Sequence, residues 1–224
     1  MPPEVDVRVL NVAPSFASLD FHREQEGALT MTFKGVQDAR YDVDTYDFFV
    51  VERSAASGAT PRSWTFGSQL QAERAYTFVL TEVAGEIVPV VLENSAAPAA
   101  DAQIQALHAA TGLPAMDLYL ERPGVGIAGA TPRGSFNAQE QIAARTMASG
   151  EYELWLTEAG NPANVLLSST TFNLPAGVTS TFVVTPEPGL TTPQLTVVVL
   201  QPTAAKSRSP RDLASFTMND HGGE

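Results

Sequence analysis

The chain has 224 residues and no cysteine, with 44% apolar side chains and a formal net charge of -12. That composition belongs to a globular chain rather than a disordered one, and the missing cysteine excludes disulfides, thiolate catalysis and cysteine-based zinc sites. The acidity is spread along the chain: residues 1–100 carry 14 acids and 7 bases, residues 101–200 carry 8 and 3, and the last 24 carry 3 of each, so nucleic acid and anionic membrane surfaces are poor electrostatic partners.

No apolar run reaches the roughly 18 residues that a membrane helix needs. The opening Met1-Pro2-Pro3-Glu4-Val5-Asp6 has neither a basic nor an apolar leader region, so no signal peptide is visible. A chain whose leader has been removed would look the same. No Asn-x-Ser/Thr sequon offers a glycosylation site.

Strand chemistry begins at once. Val7 and Val9 alternate with polar neighbours and stop at a turn over Asn11 to Ser15, marked by Pro14. Leu19-Asp20-Phe21-His22 alternates as a half-buried strand does. Residues 24–30 read as a polar connection. Tyr41 to Val51 reads as one strand, alternating first and then wholly apolar. Residues 53–63, rich in Ser, Ala, Gly and Pro, read as a loop. Trp64 to Phe66, Tyr76 to Val83 and Ile87 to Leu92 supply three further strands, the last two joined by a tight hairpin at Ala84-Gly85-Glu86.

Past a small-residue linker the pattern starts again. Val7 to Phe21 returns as Ile104 to Leu118: Leu10 to Leu107 and Asp20 to Asp117 are both offset by 97. Tyr46-Asp47-Phe48-Phe49-Val50 returns as Tyr152-Glu153-Leu154-Trp155-Leu156 at an offset of 106, which Phe66 and Phe172 keep. Thr77-Phe78-Val79-Leu80-Thr81 returns as Thr181-Phe182-Val183-Val184-Thr185 at 104, and Leu195 to Leu200 answers Ile87 to Leu92. About nine extra residues lie between the first and second blocks of the second copy. Ordered blocks with the length differences in the gaps are the mark of a duplication, and the period is far too long for a solenoid. Asn137 to Ala148 is Ala-rich and carries Asn137 and Glu140 at capping-box spacing. Its counterpart, Val36 to Asp44, reads as extended, and the duplication outweighs local propensity.

The expected fold is all-β: two tandem sandwiches of antiparallel sheets over residues 5–94 and 103–201, a linker over 95–102 and a disordered tail over 202–224. Phe48/Leu154, Phe49/Trp155, Phe66/Phe172 and Phe78/Phe182 are the expected core anchors, around an aromatic centre in each copy.

The strand ending Val9-Leu10-Asn11-Val12-Ala13-Pro14 before Leu19-Asp20-Phe21 resembles the opening of the DUF4397 family, a strand ending in His/Asn-Ala-Ser-Pro and then Val-Asp-Val/Leu-Tyr. So does Ala106-Leu107-His108-Ala109-Ala110 before Met116-Asp117-Leu118-Tyr119. Ser149-Gly150-Glu151-Tyr152 is similar to the family's Pro-Ala-Gly-x-Tyr element, and Pro175-Ala176-Gly177 keeps a further Pro-Ala-Gly turn. Thr111 in place of Pro14, and Asp44-Thr45-Tyr46 without the Gly, depart from the pattern. The resemblance covers residues 7–93 and 104–200. It implies Ig-like or transthyretin-like sandwiches in an exported, envelope-attached or secreted protein, often with two copies in tandem, and it carries over no catalytic residues, since the family has none established.

Gly124-Val125-Gly126-Ile127-Ala128-Gly129 spells the dinucleotide fingerprint, but Ala130-Thr131-Pro132-Arg133-Gly134 opens no helix to meet a pyrophosphate, so it reads as a hairpin loop. Asp38, Asp42, Asp44 and Asp47 are the densest carboxylates. Calcium takes such oxygen ligands, but the second copy lacks them, and a solvated strand face explains their alternation. His22, His108 and His221 are the only histidines. His108 stands where Asn11 stands, which suggests capping of a turn rather than metal binding or base catalysis. Asp20 and Asp117 fall in different copies, which favours a strand role over a shared acid/base cleft. Trp64 and Trp155 are the candidate aromatic platforms for a sugar, although both read as core. No catalytic, cofactor or metal-binding residue is assigned. The expected function is a non-enzymatic envelope or secreted protein with a structural, adhesive or ligand-presenting role. The alternative is a carbohydrate- or small-ligand-binding module beside a partner enzyme.

Overall fold

The structure is a computed structural model that describes residues 3–24, 27–53, 60–94, 97–188 and 195–201, together with the backbone of 214–217. It is all-β, with no helix among the described residues. The chain divides into two compact units, Met1–Ser95 and Ala96–Glu224.

In the first unit, β1 (Glu4–Asn11), β4 (Val36–Asp42), β7 (Ala75–Val83) and β8 (Glu86–Asn94) form one sheet in the order β4-β1-β7-β8. β1 runs parallel to β7 and antiparallel to β4. A second sheet has the order β3-β2-β5-β6, from β2 (Ser18–Arg23), β3 (Leu29–Thr32), β5 (Thr45–Glu52) and β6 (Ser63–Gln69). Strand side chains alternate between faces, so Val7, Val9, Phe78 and Leu80 of one sheet meet Leu19, Phe21, Phe48 and Val50 of the other in a single apolar cluster. Its centre is aromatic: Phe48 lies 5.1 Å from Phe21 and 5.0 Å from Phe78 between ring centroids.

The second unit repeats the plan. β12 (Gln141–Ala148), β9 (Asp101–His108), β16 (Thr179–Pro186) and β17 (Leu195–Leu200) stand in that order, extended at one end by β18 (Ala214–Thr217). The other sheet has the order β11-β10-β13-β14, from β10 (Met116–Glu121), β11 (Gly134–Phe136), β13 (Gly150–Glu158) and β14 (Asn161–Ser168), and β15 (Phe172–Leu174) also pairs with β13. Its cluster is mostly aliphatic, built on Ile104, Leu118, Leu120, Leu154, Leu156 and Val197, with Phe136 and Phe182. The aromatic centre is thus larger in the first unit, and the second keeps a smaller one in which Phe172 meets Phe182 edge-on at 5.7 Å. In both units the strand entering the sheet beside the first is buried on both faces, at seven successive positions in β16 and six in β7.

The duplicated blocks fall on matching strands, and Phe48 and Leu154 are both fully buried. Several expectations change. Phe49 and Trp155 are half-buried and outside the clusters, because neighbours of Phe48 and Leu154 in a strand must face the other way. Tyr41 to Val51 is two strands, bent at Val43-Asp44, with Tyr46 hydroxyl donating back to the Asp42 carbonyl at 3.1 Å. Residues 24–30 include the start of β3, whose Leu29-Thr30-Met31-Thr32 is too short to show a period. Asn137 and Glu140 do bond, Glu140 Oε2 accepting from Asn137 N–H at 2.9 Å, but they close a turn into β12 and open no helix. The hairpin at Ala84-Gly85 forms as read, with φ of 52° and 81°, the left-handed pair that a tight two-residue turn requires.

The linker ends early, since β9 opens at Asp101 and Ser95-Ala96 lie outside the described residues. In the tail, the four residues of β18 form a strand where disorder was expected. They find partners on the edge of β17, which their own polarity does not reveal. The other tail residues, with His221, and residues 54–59 of the 53–63 loop lie outside the described residues.

Candidate functional site

The two turns that follow β1 and β9 are built alike, and they absorb the most reactive polar side chains. Asn11 is fully buried. Its Oδ1 accepts from Ala13 N–H at 3.0 Å and its Nδ2 donates to the Phe16 carbonyl at 3.2 Å. His108 is equally buried. Its Nδ1 accepts from Ala110 N–H at 3.2 Å, which leaves the proton on Nε2, and Nε2 donates to the Pro114 carbonyl at 3.2 Å. The main chain agrees: Lys34 N–H donates to the Asn11 carbonyl at 2.7 Å and Gln139 N–H to the His108 carbonyl at 2.7 Å. Lys34 and Gln139 are both left-handed, at φ 60° and 67°. An imidazole spans the same acceptor-and-donor role as a carboxamide with a longer reach, matching a turn one residue longer. Burial holds the His108 pKa below its ordinary 6.5, against a smaller upward pull from the hydrogen bond to Pro114. The ring is therefore neutral at pH 7. The turn-capping role read from the sequence is the observed one.

Asp20 and Asp117 also occupy matching places, each bonded to a hydroxyl on the neighbouring short strand. Asp20 Oδ1 accepts from Thr30 Oγ1 at 2.6 Å and from Arg53 Nη1 at 3.2 Å. Asp117 is buried, its Oδ1 taken by the Ser135 hydroxyl and its Oδ2 by Gly160 N–H at 2.8 Å. It ties β10 to β11 and to the β13–β14 turn. Each carboxylate is bonded within its own unit.

A third matched device escaped sequence reading. The Arg23 guanidinium lies over the rings of Tyr41 and Tyr46 at 4.7 and 5.0 Å, and Arg122 lies over Tyr152 at 4.3 Å. Tyr152 hydroxyl donates to the Ala148 carbonyl four residues back at 2.8 Å, as Tyr46 does to Asp42. Arg23 and Arg122 are offset by 99 rather than 97, so a constant-offset comparison passes over them. Arg122 also explains Gly150: its φ is 128°, and a Cβ there would meet Arg122 Nη1 at 2.5 Å.

The four clustered aspartates disperse. Asp38 pairs with Arg8 at 2.7 Å and Asp44 Oδ1 caps Thr45 N–H at 2.8 Å; Asp42 and Asp47 are exposed on β4 and β5. Among the described residues no group of three His, Asp or Glu converges to hold a metal ion. His22 is half-buried on β2 opposite Phe49. The fingerprint glycines lie between β10 and β11. Gly124, Gly126 and Gly129 are left-handed at 76°, 70° and 76°, no helix follows, and Val125 projects 67% exposed at the tip.

Trp64 belongs to a cluster that the second unit lacks. Phe16 meets its ring edge-on at 5.3 Å, Arg62 lies over it at 5.5 Å, and its Nε1 donates to Glu86 Oε2 at 2.6 Å. Arg62 in turn pairs with Glu52 at 3.0 Å and donates to the Gly85 carbonyl at 2.9 Å. A stacking platform for a sugar needs an open ring face, and Arg62 covers one face of this ring.

No family model and no curated protein matches the chain. Among solved structures it is similar to the Bacillus anthracis TIE protein, at 13% identity and a TM-score of 0.26, over 82% of this chain and 34% of that one. It is also similar to a DUF3823 family protein from Parabacteroides merdae, at 9% identity and a TM-score of 0.23, over 78% of this chain and all of that one. The chain thus spans about a third of the TIE protein's length.

Proposed function

We propose that this is a non-enzymatic protein of the cell envelope or exterior, made of two DUF4397-type, Ig-like or transthyretin-like sandwich modules that hold variable loops for a structural, adhesive or ligand-presenting role. The observation that carries this reading is the equivalence of Asn11 and His108. A histidine whose place is filled by asparagine in the sister unit is holding a turn, and asparagine has no proton to exchange near neutral pH. Asp117 is consumed in the same way. The Tyr46 and Tyr152 hydroxyls, bonded to backbone four residues upstream at a strand entry, resemble the tyrosine corner of Ig-like sandwiches and support that class. Besides their interiors, the units differ at the surface in the 122–133 loop and in the Arg62–Trp64 cluster, and rigid frames with variable connections are a common recognition device.

Fractionation and protease shaving of the producing cells test location: recovery in the envelope or the medium is expected, and confinement to the cytosol would overturn it. Complementation of a deletion strain tests the role. His108→Asn should restore whatever surface phenotype the deletion causes, and replacing 123–132 with a short turn, which keeps Arg122 and Arg133, should not. Failure of His108→Asn at normal protein levels would point to imidazole chemistry instead.

A further inference from the structure

β8 and β17 are corresponding strands, each next to the inner strand of its sheet, but their outer edges differ. Val12 N–H donates to the Leu80 carbonyl at 3.0 Å, and Ala109 N–H donates to the Val184 carbonyl at 2.8 Å. Successive residues of a strand turn their backbone groups to opposite edges. Leu80 and Val184 therefore spend theirs toward the first strand of each unit. Their cross-strand partners are Pro89 and Val197. Both partners must then turn their backbone N and O outward, away from β7 and β16. Pro89 has no N–H to offer, so the β8 edge lacks a donor at its middle, a common way to close an edge. Val197 keeps its donor, and Val199, two residues on, faces the same way.

That open edge is where the structure places β18, antiparallel, with Val197 opposite Phe216 and Val199 opposite Ala214. By the same parity these are the pairs that exchange N–H···O bonds, and Ser215 turns its N–H away. Twelve residues, 202–213, separate Gln201 from Ala214, a length that reaches at most about 40 Å.

We propose that the outer edge of β17 is a strand-acceptor site whose partner is a second copy of this chain, which inserts its own Ala214–Thr217 there. The segment already matches the edge in register, so exchange between copies needs no new surface. The tether presents a chain's own tail at an effective concentration on the order of millimolar. Pairing within the chain therefore prevails in dilute solution, and exchange takes over where chains crowd or where the tail of the same chain is withheld.

Two full-length variants separate donor from acceptor. Val197→Pro copies Pro89 into the second unit: it removes only an outward N–H, so the acceptor closes and the tail is set free. Phe216→Pro spoils the tail and leaves the edge open. In sedimentation velocity each variant alone should remain monomeric, and their equimolar mixture should form a 1:1 heterodimer. Absence of the heterodimer at roughly 1 mM, a concentration that equals the tethered one, with both variants melting cooperatively, would overturn the proposal. If Val197→Pro does not fold, a peptide of residues 212–219 is added to full-length Phe216→Pro. Binding should survive N-methylation at Ser215 and vanish with N-methylation at Phe216. No binding, or equal binding by both methylated peptides, overturns it equally.

Discussion

A buried side chain that both accepts and donates can be replaced by another only if the two atoms fall in the right places, and Asn11 and His108 show two solutions to one turn. They differ in one respect, since the imidazole titrates near neutrality and the carboxamide does not. The folded-state pKa of His108 is depressed, so the unfolded chain takes up the proton more readily. Stability contributed by this residue is therefore complete above the ordinary value of 6.5 and is lost progressively as pH falls below it. Protonation at Nδ1 would also turn the acceptor for Ala110 N–H into a donor. Urea unfolding of the second unit should weaken between the ordinary histidine and carboxylate ranges, and His108→Asn should remove that part of the pH dependence. An unchanged profile in the variant would show that the imidazole is not the titrating group. Asp117→Asn can keep Gly160 N–H on its amide oxygen only by turning its N–H₂ to Ser135 Oγ, whose own hydrogen then loses the charged acceptor it has in the carboxylate. A cost of about 1–3 kcal/mol is expected in urea unfolding. Asp20→Asn should cost less, because Asp20 is half-buried and its carboxylate reaches the surface beside Arg53.

Among elements, what was legible in the sequence were the long strands with a clear period and a twin. β1 and β2 were readable because alternation and the 97 offset agreed, and β7 and β8 because apolar runs returned at offsets of 104 and 108. The extended state of Gln141–Ala148 was readable only through its twin, since its own composition favours a helix. Elements whose identity rests on a neighbour stayed hidden. Leu29–Thr32 has too few residues for a period and exists because β2 pairs with it. The bend at Val43-Asp44 carries no Gly or Pro and is held by the Tyr46 hydroxyl reaching back to Asp42. Arg122 over Tyr152, with Gly150 making room, joins three segments whose spacing means nothing until the hairpin folds. The candidate site followed the same rule: the Asn11/His108 correspondence was readable as an aligned pair, whereas the Arg62–Trp64 cluster, with no twin, was not.

At the scale of the whole chain, the two units have different interiors and one tryptophan each, Trp64 in the first and Trp155 in the second. Single-tryptophan variants can therefore follow each unit's unfolding by fluorescence. Phe48→Ala should lower the unfolding free energy reported by Trp64 by about 3–5 kcal/mol, and Leu154→Ala should lower that reported by Trp155 by about 2–5 kcal/mol. A change well under 1 kcal/mol in either would mean that these residues do not sit at the centres of their clusters.

Pro89 sets a limit on how such molecules can join. With one sheet margin sealed by an imino acid and the other open, each polypeptide offers a single socket and a single plug of this type. Assembly by this route has a valence of two, so it can close into a pair or a ring or run on as an unbranched thread, but it cannot ramify into a mesh.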